Sequence, residues 1–112
     1  MIEIVPATAE HVLALYSEPP GRTLRAVAAV DGGRVLGVAG TYKDGDNTIV
    51  FAKMTDELRA DKRAIVAGYR KVMRLFGRRV FAVCDTTIPA AAGFLEHMGF
   101  QQMEGEVYVW TA

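Results

Sequence analysis

Cysteine is nearly absent from this chain. Cys84 is the only one in 112 residues, so an internal disulfide framework and a cysteine-based zinc site are both excluded. A reducing, cytoplasmic setting is the default for such a chain. Histidine is scarce too. His11 and His97 fall in separate segments with no metal-ligand spacing, and both are expected at the surface. No apolar run approaches the ~20 residues a membrane helix needs. The N-terminus lacks the basic-then-apolar pattern of a secretory leader. There is no internal repeat, no low-complexity tract and no linker. Net charge is also missing, with 13 basic against 13 acidic side chains, so no global field steers the chain toward nucleic acid.

What is present is a chain with 51% apolar residues, enough for one core and too short for two. We expect residues 1–112 to form a single domain. The charge that cancels globally is concentrated locally. Eight of the 13 Lys and Arg residues lie between Arg59 and Arg79, opposed only by Asp61. This segment also carries the clearest helical pattern in the chain. Ile65, Val66, Tyr69, Val72, Met73 and Phe76 recur at one-face spacing, and Gly77 offers a left-handed stop.

Short alternating or apolar stretches frame that helix. Met1–Pro6 reads as a strand. Thr8 can cap a short helix with Val12, Leu15 and Tyr16 on its apolar side. Residues 17–23, with Pro19, Pro20 and Gly21, read as a loop. Leu24–Asp31 and Arg34–Tyr42 are strands joined by the hairpin signal Gly32-Gly33. Gly37 and Gly40 mark a bulge or close backbone approach. Thr48–Lys53 is a third strand, followed by Thr55 or Asp56 as a cap. Val80–Cys84, apolar at every position, reads as a strand buried on both faces in parallel pairing. Thr86 or Thr87, with Pro89 in the first turn, starts a last helix. Ala91, Phe94, Leu95 and Met98 form its stripe, and Gly99 ends it. Val107–Trp110 closes the chain as an exposed terminal strand, which makes pairing across a homodimer feasible. The fold class is α/β, a mixed, mostly antiparallel sheet with a central βαβ unit whose crossover is right-handed.

Two stretches, FAKMTDELRADKRAIVAGYRKVMRLFG and FLEHMGF (Phe94–Phe100), resemble the GNAT superfamily of acyl-CoA-dependent N-acyltransferases. The frame Glu57-Leu58-Arg59, Val83–Asp85 and Phe94–Phe100 looks closest to short GNAT-like proteins of tailed phages. For a phage protein the setting would be host cytoplasm or virion. The resemblance implies a compact GNAT fold, acetyl-CoA as cofactor, and a small-molecule or protein amine as acceptor. It places the pyrophosphate-binding loop on Arg59, Ala60, Asp61, Lys62, Arg63 and Ala64. There, first-turn amides and the helix dipole favour an anion. Lys62 stands where the family's first loop glycine belongs, and Asp61 adds a negative charge.

The family's tyrosine donor falls at Leu95 and its asparagine at Ile88. Asp85, just beyond a strand end, is the candidate catalytic residue. Cys84, Tyr42, Tyr69 and Tyr108 are left over without diagnostic spacing. The implied function is an N-acetyltransferase. The alternative is a non-catalytic GNAT-like phage structural or host-interaction module. For Arg70, Lys71 and Arg74, a solvated helix face outweighs nucleic-acid binding, because no aromatics interleave with the cations. The cofactor reading requires Thr48–Lys53 and Val80–Cys84 to diverge beside the basic turn.

Overall fold

The computed structural model describes residues 1–15, 24–84 and 91–112. The expected loop at 17–23, Tyr16, and the cap candidates Thr86 and Thr87 with Pro89 lie outside these residues. In chain order the elements are β1 (Glu3–Pro6), α1 (Ala9–Leu15), β2 (Leu24–Asp31), β3 (Arg34–Asp44), β4 (Asn47–Met54), α2 (Asp56–Arg59), α3 (Lys62–Met73), β5 (Arg79–Val83), α4 (Ala91–His97), β6 (Gln101–Glu104) and β7 (Val107–Thr111). The seven strands form one sheet in the order β1-β2-β3-β4-β5-β7-β6. Every neighbouring pair is antiparallel except β4–β5, which the α3 crossover makes parallel. The α/β class with a mostly antiparallel sheet and a central βαβ unit is therefore the observed one.

Local signals explain most of the boundaries. Thr8 caps α1 reciprocally with His11. The His11 amide donates to Thr8 Oγ1 at 3.3 Å, and the Thr8 amide donates to His11 Nδ1 at 3.0 Å. This is the logic of a capping box with imidazole in place of a carboxylate. Gly32 and Gly33 take positive φ, 57° and 90°, as a tight hairpin requires. At the end of α4, the Gly99 amide bonds the Glu96 carbonyl and the Phe100 amide bonds the Leu95 carbonyl. With Gly99 at φ 97°, this is a Schellman stop that folds Phe100 into the core.

Alternate residues of the sheet face opposite layers. Ala28 packs with Val12 of α1 and Val38. Its neighbour Ala29 packs on the other side with Leu36 and with Leu58 of α2, where Ile65 of α3 joins them. Further along that side, Ala82, Cys84, Phe100 and Tyr108 are buried under Tyr69 of α3, Phe76 just beyond its end, Leu95 of α4 and Met98 just after it. Val72, 2% exposed, contributes about 1.5–3 kcal/mol through burial of its side chain.

Five expectations change. The long helix is preceded by a separate one-turn helix, α2. It stops at Met73, and Gly77 is not in the left-handed region. Val66 is 37% exposed, so the buried stripe of α3 is narrower than its apolar composition. β5 is buried on one face only: Val80 and Ala82 lie in the core, while Val83, on the other face, is 64% exposed. Finally, β7 is not an edge. It lies between β5 and β6, and the polar β6, exposed throughout, takes the outer position.

Gly68 lies in mid-α3. A Cβ there would meet only Ile4 Cδ1, at 3.7 Å. Gly68→Ala should therefore stabilise the protein by about 0.5–1 kcal/mol, since a helical glycine costs that much relative to alanine. Gly40 is the opposite case. A Cβ there would collide with the Arg25 carbonyl and lie 2.6 Å from Ala26 Cα. Neither is a flexible side chain, so Gly40→Ala should cost about 1–3 kcal/mol. Urea midpoints of the two variants will move in opposite directions.

Candidate functional site

The site begins at an irregularity in β3. Ala29 pairs with Gly37 and Val30 with Val35, which leaves Leu36 as an extra residue. This bulge turns the Leu36 carbonyl toward the end of β4. It accepts from the Thr55 amide at 2.8 Å and from Thr55 Oγ1 at 3.1 Å. The same hydroxyl accepts from the Leu58 amide at 3.3 Å, capping α2. Gly37 leaves room for the Leu58 side chain. The chain leaving β4 is thus clamped to β3, and α3 starts from a fixed point beside Met54, where Ala64 and Ile65 pack.

At this end of the sheet β4 and β5 separate. Their ladder holds two register pairs, Ile49 with Phe81 and Val50 with Ala82. β4 continues to Met54 alongside β3. β5 continues alongside β7, and the Cys84 amide reaches the Glu106 carbonyl at 2.7 Å. Each strand stays with its outer neighbour, and no register pair joins the two beyond Val50 and Ala82. The ladder therefore ends toward the C-terminal ends of the parallel strands, the position where open α/β sheets receive ligands.

The loop Arg59–Ala64 has a definite conformation. Arg59 ion-pairs with Asp56 at 2.8 Å on the exposed surface. Ala60 ends α2 and Asp61 caps α3. The Asp61 carboxylate accepts from the Ala64 amide at 3.0 Å. One of the amides expected to face a phosphate is therefore engaged by the chain's own acid. The amides of Lys62 and Arg63, at the first two helical positions, have no acceptor within their own helix by geometry. Their side chains, with Val66, Ala67 and Arg70, line a surface groove of about 380 Å³. The sequence carried the signal for this cap, an Asp immediately before the helical periodicity begins.

The catalytic candidates are dispersed. Asp85, together with Ile88, lies outside the described residues. Cys84 is buried and Leu95 packs into the same core cluster. The Tyr69 hydroxyl donates to the Met98 carbonyl at 2.8 Å, and burial pushes its pKa above the ordinary 10.0. Tyr108 is shifted upward as well, first by burial and then by the charges of Cys84 and Glu96. Tyr42 lies against the ring of Phe51, with centroids 6.0 Å apart. Both Tyr69 and Tyr108 thus serve the core.

No protein-family model and no curated protein matches the sequence. Solved structures do match in fold. A protein described as a probable acetyltransferase of the GNAT family, from Chromobacterium violaceum, superposes with a TM-score of 0.66 at 15% identity, over 98% of this chain and 87% of that one. A chain of a KacTA–DNA complex superposes with a TM-score of 0.60 at 14% identity, over 99% of this chain and 93% of that one. The fold of this chain is the GNAT fold.

The two raised tyrosines make the stability pH-dependent in a known direction. The unfolded chain loses its phenolic protons near the ordinary value of 10.0, while the folded chain holds them to higher pH. The unfolded state then binds fewer protons, so stability falls as pH rises. It should be complete below about pH 10 and decline above it. Tyr69→Phe should make that decline shallower. At neutral pH it should cost about 0.5–1.5 kcal/mol, from the donor lost to Met98. Urea denaturation across the alkaline range measures both effects.

Proposed function

We propose that this chain binds an acyl-CoA between β4 and β5 and transfers the acyl group, acetyl from acetyl-CoA, to an amine. The observation that carries this reading is the parallel ladder of only two register pairs, between the two strands that the α3 crossover connects. Each further backbone hydrogen bond would add about 0.5–1.5 kcal/mol, so an early end to the ladder has a cost that a ligand-binding role explains. Lys62 and Arg63 would hold the phosphates, through first-turn amides and through their cationic side chains. Arg59 and Ala60 border this turn. Asp61 and Ala64 are committed to each other.

A bound acyl-CoA would supply a thioester whose carbonyl carbon an amine attacks. The chain must then take a proton from the amine and return one to the leaving thiolate. Tyr69 and Tyr108 remain neutral and core-bound. Asp85, which follows Cys84 at the end of β5, is left as the candidate proton acceptor. The acceptor would be a small molecule or a protein carrying a free amine.

One observation favours a second reading, a non-catalytic module that keeps the fold, such as a phage structural or host-interaction protein. It is the Asp61 carboxylate sitting on the Ala64 amide, with Leu95 in the core where the family places its donor.

A thermal-shift titration with acetyl-CoA tests binding. At a hundredfold excess over Kd the protein should gain about 2.7 kcal/mol; no shift at millimolar ligand sinks the proposal. Asp61→Asn keeps a good cap and removes a negative charge beside the phosphates. It should tighten binding by about 1 kcal/mol, roughly fivefold. Asp85→Ala should abolish thiol release with the wild-type shift retained. A shift without thiol release across an amine panel would favour the second reading.

A further inference from the structure

The outer face of α3 carries charge that its own fold does not explain. Between Lys62 and Met73 the helix holds Lys62, Arg63, Arg70 and Lys71 and no acid, and Arg74 caps its end. With 3.6 residues per turn, Arg63, Arg70 and Arg74 fall within roughly 40° of one another, about 10 Å and then 6 Å apart along the axis. All three are exposed. Val66 and Ala67 form the floor between them, and the groove there, bordered also by Lys62, Arg63 and Arg70, measures about 380 Å³. Lys71 lies to one flank and donates to the Ile4 carbonyl at 3.1 Å.

Among the described residues, ion pairs join Met1 and Arg34 to Asp31, Arg34 to Glu57, and Arg59 to Asp56. Lys62, Arg63, Arg70 and Arg74 take part in none of them. Two features of the stripe also work against the helix. Lys62 and Arg63 stand at the positive end of its dipole, and Arg70 and Arg74 are like charges four residues apart. A chain with as many acids as bases had the means to alternate signs here and does not.

We propose that this face docks the phosphodiester backbone of a nucleic acid, without reading its bases. Guanidinium forks match phosphate oxygens in pairs. An acidic protein partner is disfavoured, because a stable interface buries about 800 Å² per side around aromatic or large apolar anchors. This face offers only Val66 and Ala67. An anionic membrane surface is disfavoured as well, since it requires an apolar helix face to insert. The apolar side of α3, with Ile65, Tyr69 and Val72, is turned into the core. A polyphosphate chain needs neither feature, because its affinity comes from counterion release. The one aromatic of α3, Tyr69, points inward to Met98, so base stacking is absent and binding is independent of sequence. Arg70 and Arg74 lie about two and three turns beyond the Arg59–Ala64 loop, which separates this proposal from the cofactor reading.

The test is fluorescence anisotropy with the full chain and a labelled random-sequence DNA duplex of about 20 base pairs, titrated in salt. Three or four phosphate contacts predict that affinity falls roughly 40- to 150-fold between 50 and 200 mM salt. The double variant Arg70→Gln, Arg74→Gln should reduce the log–log salt slope by about 1.8 and weaken all duplexes equally. Its melting temperature should be no lower than the parent's, since a like-charge pair is removed, and any acetyl-CoA thermal shift should match the parent's. Absence of binding at low salt, salt-insensitive binding, or an unchanged double variant would overturn the proposal. So would polyglutamate or anionic vesicles binding as tightly as the duplex, which would assign the face to an acidic protein or a membrane. Loss of the acetyl-CoA shift in the double variant would place the stripe in the cofactor site instead.

Discussion

Everything at the candidate site depends on where the β4–β5 ladder stops. Antiparallel pairing holds β4 against β3 as far as Met54 and β5 against β7 as far as Val83. The parallel pair between them keeps two positions. Since the outer partners are fully zipped, the sheet can open at this seam without coming apart. The Leu36 bulge and its two bonds from Thr55 then hold the exit from β4 in place, and α3 inherits its position from that clamp. The seam, the clamp and the helix start form one mechanical unit.

Within that unit the basic turn serves two demands that pull against each other. Asp61 suits the structure, since a carboxylate cap contributes about 0.5–2 kcal/mol and its charge favours the helix dipole. For an incoming anion the same carboxylate is a competitor: it holds the Ala64 amide and brings negative charge. Lys62 and Arg63 reverse the balance, unfavourable to their helix and favourable to a phosphate. The net positive charge at this turn is thus retained at some cost in stability.

Legibility in the sequence followed the range of the interactions. The Gly32-Gly33 hairpin, the Thr8 cap and the Gly99-Phe100 stop are settled within a few residues, and each was visible in the order of side chains. α2 was missed because four residues are too few to carry a period. β6 could not be placed, because Gln101–Glu104 is short and exposed throughout, with Met103 its one apolar residue and no alternation to detect. Val80–Cys84 looked buried on both faces because composition cannot tell a covered face from an uncovered one. Val83 is exposed since α1 packs over β2 and β3 and does not reach it. At the site, the location of the basic turn was legible, as were the apolar-face positions of Tyr69, Cys84 and Leu95, while their meeting with Tyr108 in one cluster was not.

The sequence by itself determined the local elements: which side of α3 is apolar, where hairpins turn, and that eight cations gather between Arg59 and Arg79. These follow from backbone preference and helical spacing, which act between near neighbours. The tertiary structure alone decided where β4 and β5 part, that β7 is interior while β6 is the edge, and which cations are left without an acid partner among the described residues. Those depend on registers set between residues as distant as Ile49 and Phe81, where no short-range rule reaches.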